Sequence, residues 1–109
     1  MKNLTIDEWK SQLLSDSNAI VLDVRTTDEI EEGAIPNAIH ADVKQPQLFL
    51  DTVNALDKTK NYYVYCQSGA RSLEACAVLN LLCNITEAYS LTGGFSVWDG
   101  EIEVVSILN

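Results

Sequence analysis

Basic residues are scarce in this chain. Only five lysines and two arginines stand against sixteen acidic residues, giving a formal charge of −9 and a pI near 4.3. The basic residues do not cluster, so no patch is available for nucleic acid or for an anionic membrane surface. The acidity reads as a solvated surface. Any anionic substrate must then be held by local groups against the field of the whole molecule. Metal ligands are equally few. With one histidine, and cysteines only at Cys66, Cys76 and Cys83, no zinc spacing can be written and no metal or other cofactor is expected. An odd cysteine count argues against a disulfide framework. The opening Met1-Lys2-Asn3-Leu4-Thr5 lacks the apolar core of a signal peptide. A reducing, cytoplasmic setting is therefore expected. The longest near-continuous apolar stretch, Ala75 to Cys83, is too short to cross a bilayer and contains Asn80. Repeats, low-complexity tracts and linkers are missing too, so residues 1–109 are expected to form one domain.

What is present alternates between strand and helix. Thr5 and Glu8 form a capping box that starts a helix near Ile6, running to about Leu14. Ala19-Ile20-Val21-Leu22, ending at Asp23, reads as a buried strand. Thr26 to Glu32 predicts a short helix stopped by Gly33. Ala38-Ile39-His40 predicts a brief strand, and Pro46 opens a helix with Leu48, Phe49, Val53 and Leu56 on its apolar side. Tyr62-Tyr63-Val64-Tyr65 is a strong strand. Ser72 to Cys83 reads as a helix apolar on nearly all sides and hence buried, and Thr86 to Leu91 as a last strand. This order implies an α/β fold, a parallel sheet with helices on both faces. Ligands of such folds gather at the carboxyl ends of the strands, where Asp23 and Cys66 are both expected.

The segment Tyr65-Cys66-Gln67-Ser68-Gly69-Ala70-Arg71-Ser72 carries the chemistry. A cysteine ends a strand, a short loop containing glycine follows, and an arginine stands where a helix begins. The thiolate, not the thiol, is the nucleophile. A helix N-terminus offers unpaired N–H groups and partial positive charge, and a curled loop turns successive N–H groups into an anion nest. Gly69 allows the curl, and Arg71 adds a permanent charge with a forked donor. Together they are expected to lower the Cys66 pKa and hold an anion beside the sulfur. Cys76 and Cys83, on the helix and without convergent polar groups, read as core packing.

This loop, of the form C-x-x-G-x-R-S, resembles the active loop of rhodanese domains. Three further segments are similar to that family and stand in the right order. They are Val21-Leu22-Asp23-Val24-Arg25 with Glu29 after it, Gly33 to His40, and Leu91-Thr92-Gly93-Gly94-Phe95 to Trp98. Two positions depart from the pattern: Ala34 replaces the usual histidine and Asn37 the second glycine. Asn tolerates positive φ, so the turn is expected to survive.

The resemblance implies a five-stranded parallel sheet and a sulfurtransferase working through an enzyme persulfide. By position, Cys66 is the nucleophile and Arg71 orients the donor anion. The N–H groups of Gln67, Ser68, Gly69, Ala70 and Ser72 cradle the persulfide. Asp23 and Arg25 lie near the loop, either as an ion pair fixing the strand end or as groups contacting substrate. His40 is expected to be structural. The implied partners are a small anionic sulfur donor such as thiosulfate, or a protein persulfide, and a thiol or cyanide-like acceptor. Two other functions fit parts of the pattern. A phosphatase of related fold would use Cys66, Arg71 and Asp23, but needs one more residue than the four between Cys66 and Arg71. A non-catalytic binding module typically lacks the cysteine retained here. Residues 101–109, rich in β-branched side chains, are expected to form an edge strand or extended tail, or to support a dimer.

Overall fold

The computed structural model describes residues 2–104. Five parallel strands, β1 (Lys2–Leu4), β2 (Ala19–Asp23), β3 (Ile39–His40), β4 (Asn61–Tyr65) and β5 (Ala88–Leu91), lie in the order β1-β5-β4-β2-β3. Between them run α1 (Ile6–Leu14), α2 (Thr27–Ile30), α3 (Pro46–Asn54) and α4 (Ala70–Leu82), and a 3-10 turn over Gly94–Val97 follows β5. The capping box at Thr5 and Glu8 forms as expected, and Thr26 with Glu29 makes a second one on α2.

Side-chain alternation along β4 divides the core. Tyr62, Val64 and Cys66 face a cluster built with Phe49 and Val53 of α3 and Ala75, Cys76 and Leu79 of α4. Tyr63 and Tyr65 face the opposite cluster, with Trp9 of α1, Leu91 and Trp98. A period of two thus delivers the Cys66 side chain to the α4 side of the sheet. From β2 the chain moves outward to β3, whereas from β4 it moves the other way to β5. The loops after β2 and β4 therefore diverge, leaving a crevice between adjacent strand ends. Asp23 is in register with Tyr65, so Asp23 and Cys66 share that edge.

Three expectations change. The strand Lys2–Leu4, paired with β5, was not expected, because three residues of mixed polarity carry no period of their own. The helix expected from Ser72 begins at Ala70, which puts Arg71 inside its first turn. That helix is also not buried all round. Ser72, Ala75, Cys76 and Leu79 face the sheet, while Leu81 and Leu82 are largely exposed. Its apolar composition hid a one-sided burial at spacings of three and four. At the far end, Glu103 pairs with Ala34 in an isolated antiparallel bridge. The rest of the expected C-terminal strand or tail, 105–109, lies outside the described residues.

Candidate active site

β4 ends at Tyr65, and the next residue begins a tight curl. The Gly69 N–H donates to Cys66 Sγ at 3.0 Å. Gly69 is the N-cap of α4, with φ of +105° and no side chain to cap the helix. The cysteine sulfur occupies the place where a capping oxygen would sit. A side chain at Gly69 would be strained by its φ and would bring a Cβ to 2.9 Å from the Gly93 nitrogen. The Ser72 hydroxyl lies 3.6 Å from Sγ, 3.1 Å from the Gly69 carbonyl oxygen to which it donates, and 2.8 Å from the Ser90 hydroxyl.

Burial pushes the Cys66 thiol up. The Ser72 hydroxyl and the N–H groups of Ser72, Gly69 and Ser68 outweigh it, and the thiol is held below its ordinary value. Cys76 has burial without such donors, and its thiol is pushed up to about 12. Cys83 is buried in the same cluster as Cys76. One of three cysteines therefore has the environment of a nucleophile. Cys66 has no exposed surface in this conformation.

The Gly93-Gly94 turn braces this loop from behind. The Phe95 N–H donates to the Cys66 carbonyl oxygen at 2.8 Å and the Ser96 N–H to the Gln67 carbonyl oxygen at 3.1 Å. A Cβ on Gly94, whose φ is +61°, would fall onto the Cys66 carbonyl oxygen and 2.7 Å from the Gln67 carbonyl carbon. The double glycine in the sequence signalled a turn; its contact with the Cys66 loop had no local signal.

Asp23 and Arg25 bind each other. Arg25 Nη2 and Nε donate to Asp23 at 2.8 and 3.0 Å. The remaining donors go to the Gly33 carbonyl at 2.7 Å, the Glu29 carbonyl at 3.2 Å and Gln67 Oε1 at 3.3 Å. All five guanidinium N–H groups are then used. The Tyr65 hydroxyl donates to Asp23 Oδ2 at 2.5 Å, and Phe95 lies against the guanidinium at 4.2 Å. Neither side chain is accessible to solvent beyond 1%. His40 Nε2 meets the Arg25 carbonyl oxygen at 2.6 Å, a structural contact. Asn37 adopts φ of +67°, as the turn there requires.

Arg71 turns toward Glu29. Its two terminal nitrogens donate to the two Glu29 oxygens at 2.8 Å each. The guanidinium holds the Glu29 carboxyl down at about 2. Arg71 still lies near enough to the sulfur for Cys66 and Asp42 to add to its positive stabilisation, behind the larger effect of Glu29. Of the cradle residues, Ser72 is buried, Gln67 and Gly69 are half-buried, and Ser68 and Ala70 are exposed. Glu29 and Ser90 are site residues that the sequence left without a role. Glu29 stood out in the sequence only by its place after the Val21–Arg25 segment and its capping-box spacing from Thr26, and Ser90 could be found only through the pairing of β4 with β5.

The Rhodanese-like domain model matches residues 6–101. The chain belongs to the rhodanese-like domain family. This rhodanese-like domain is 34% identical to a sulfurtransferase of Allochromatium vinosum, over 90% of the chain and 89% of the relative. It is 32% identical to the thiosulfate sulfurtransferase GlpE of Coxiella burnetii, over 85% of the chain and 81% of that relative. The crystal structure of a rhodanese-like domain protein from Staphylococcus aureus superposes with a TM-score of 0.76 at 34% identity, covering 97% of this chain and all of the other. By these relatives the chain is a rhodanese-type sulfurtransferase. Among the described residues, no helix is long and apolar enough to cross a membrane.

Proposed function

We propose that the protein, as a single domain over residues 1–109, moves a sulfane sulfur from thiosulfate or a persulfide to a thiol or cyanide-like acceptor, through a persulfide on Cys66. The observation that carries this reading is the Gly69 N–H donating to Cys66 Sγ at 3.0 Å with the Ser72 hydroxyl 3.6 Å from the sulfur, groups that with the Ser68 and Ser72 N–H groups hold the thiol below its ordinary value. Donors so placed stabilise a thiolate before attack and the anionic outer sulfur after it. With thiosulfate, the Cys66 thiolate attacks the outer sulfur, a new S–S bond forms, and sulfite leaves with the electron pair of the broken bond. An acceptor thiolate or cyanide then attacks the outer sulfur of the persulfide and returns Cys66 as thiolate. Gln67 and Ala70 complete the loop backbone around the bound sulfur. Asp23 and Arg25, spent on each other and on the loop, act as its frame and not as ligands of the substrate. Three free, buried cysteines suit a reducing, cytoplasmic setting.

The phosphatase alternative has less support. Its cradle needs one more residue between the cysteine and the arginine than the four that separate Cys66 from Arg71. Assaying thiocyanate formation from thiosulfate and cyanide beside hydrolysis of an aryl phosphate separates the two. The expected result is thiocyanate without phosphate release, abolished by Cys66→Ser. Phosphate release that depends on Cys66, without thiocyanate, would reverse the assignment.

A further inference from the structure

The Cys66 loop has a cation beside it whose charge is already answered. The chain has two arginines. Arg25 is buried and uses every donor on protein oxygens. Arg71 is gripped through both terminal nitrogens by Glu29 at 2.8 Å. Glu29 is itself fixed, because its Oε1 accepts from the Thr26 N–H at 3.0 Å and the Thr26 hydroxyl at 3.1 Å. A second carboxylate, Asp42, buried to within 6% of its surface, also acts on Arg71. The clamp is a forked guanidinium on a carboxylate whose position a helix cap sets.

We propose that Glu29 determines donor specificity: by clamping Arg71 it sets the Cys66 loop to take sulfur from an alkyl persulfide, R–S–SH, in preference to a small dianion such as thiosulfate. This rests on the sulfurtransferase reading above. The two donors place different demands on the loop. When the Cys66 thiolate meets thiosulfate, three negative charges share the cradle until sulfite departs with its two. Holding them calls for the charge of Arg71, and Glu29 already offsets that charge. The Glu29 carboxylate, held against Arg71, would also face the dianion at the same mouth. When the thiolate attacks the outer sulfur of R–S–SH, that S–S bond breaks as the new one forms, R–S⁻ leaves, and the outer sulfur keeps its proton. One negative charge is conserved throughout, and the loop N–H groups are enough to hold it. Glu29 acts through Arg71 and not on the donor, so it is a positioning residue.

Glu29→Gln tests this cleanly. Glutamine keeps the oxygen that completes the capping box with Thr26 but carries no charge to hold Arg71. The readout is the second-order rate constant for persulfide formation on Cys66, followed by intact mass after acid quench. Thiosulfate and a small uncharged-tail alkyl persulfide serve as the two donors. In Glu29→Gln the thiosulfate-to-persulfide ratio should rise about 10-fold, the worth of one charge-assisted contact. Glu29→Ala should move the ratio the same way, although it also loses the cap, since a fold defect common to both donors cancels. Adding Arg71→Ala to Glu29→Gln should erase the gain. An unchanged or falling ratio in both single variants overturns the proposal, as does a gain that survives in the double variant. If the unmodified protein takes sulfur on Cys66 from neither donor, the sulfurtransferase reading fails and this one with it. If it takes sulfur and the ratio does not respond, only the role of Glu29 fails.

Discussion

At the scale of single residues, the reactive difference between Cys66 and Cys76 comes from hydrogen-bond donors, because burial alone raises both thiols. The Ser72 hydroxyl is the side-chain part of that difference. It has one proton and three nearby claimants: Cys66 Sγ, the Gly69 carbonyl and Ser90 Oγ. Ser90 can donate to Ser72, which leaves the Ser72 proton for the thiolate or the carbonyl. The folded thiol lies below its ordinary value, so the thiolate forms at lower pH than a free cysteine would allow. Alkylation of Cys66 should therefore reach half its maximal rate below the pH typical of a free thiol. Ser72→Ala should move that midpoint upward, and Ser90→Ala should move it upward by less. A midpoint unchanged in Ser72→Ala would mean that the backbone N–H groups alone set the thiolate. The curled loop around Cys66 was legible in the sequence because a cysteine at a strand end, a glycine and a helix start are neighbours along the chain. The pairing of Arg71 with Glu29 was not, because 42 residues separate them and either could have faced solvent.

At the scale of elements, the Asp23–Arg25 pair joins four pieces of chain. It fixes the end of β2, reaches β4 through the Tyr65 hydroxyl, receives the 29–33 turn through two carbonyls, and touches the Cys66 loop through Gln67. A buried pair so fully bonded is costly to break, since the surviving charge has no water to turn to. Arg25→Met should lower unfolding free energy by about 3–5 kcal/mol, the range for removing one partner of a buried pair. Urea unfolding of the variant beside the unmodified protein measures it, and a loss under about 1 kcal/mol would show that Tyr65 and the backbone satisfy Asp23 alone. The sequence announced this element's strand and its D-V-R ending, but left a structural and a substrate-contacting role open for both charges. The count of donors consumed on protein oxygens supports the frame, and it is a property of the 29–33 turn folding back over Arg25. Strand β1 was missed for a related reason. Lys2-Asn3-Leu4 gains its conformation from the register with Tyr89, Ser90 and Leu91 and not from its own residues.

At the scale of the whole molecule, a formal charge of −9 would oppose the approach of an anionic donor such as thiosulfate. The repulsion acts over roughly a Debye length, about 30 Å at 0.01 M ionic strength and about 8–10 Å near 0.1–0.15 M. The loop N–H groups act only at contact, and the charge of Arg71 is offset by Glu29. Moderate potassium chloride should therefore raise kcat/KM for thiosulfate by screening the acidic surface. A steady fall from the lowest salt upward would mean that local positive charge governs approach instead. Charge balance, layer order and the parallel sheet could be read from composition and periodicity. The bracing of the Cys66 loop by the Gly94 turn could not, because it arises only when β5 settles beside β4.

The claim on which the rest depends is that Cys66, alone among the three cysteines, carries sulfur. Intact-mass spectrometry after exposure to thiosulfate and, separately, to a persulfide donor tests it most directly. The unmodified protein, Cys76→Ser and Cys83→Ser should each gain the mass of one sulfur atom, removable by cyanide, and Cys66→Ser should gain none. A cyanide-labile sulfur on the Cys66→Ser protein would contradict the account.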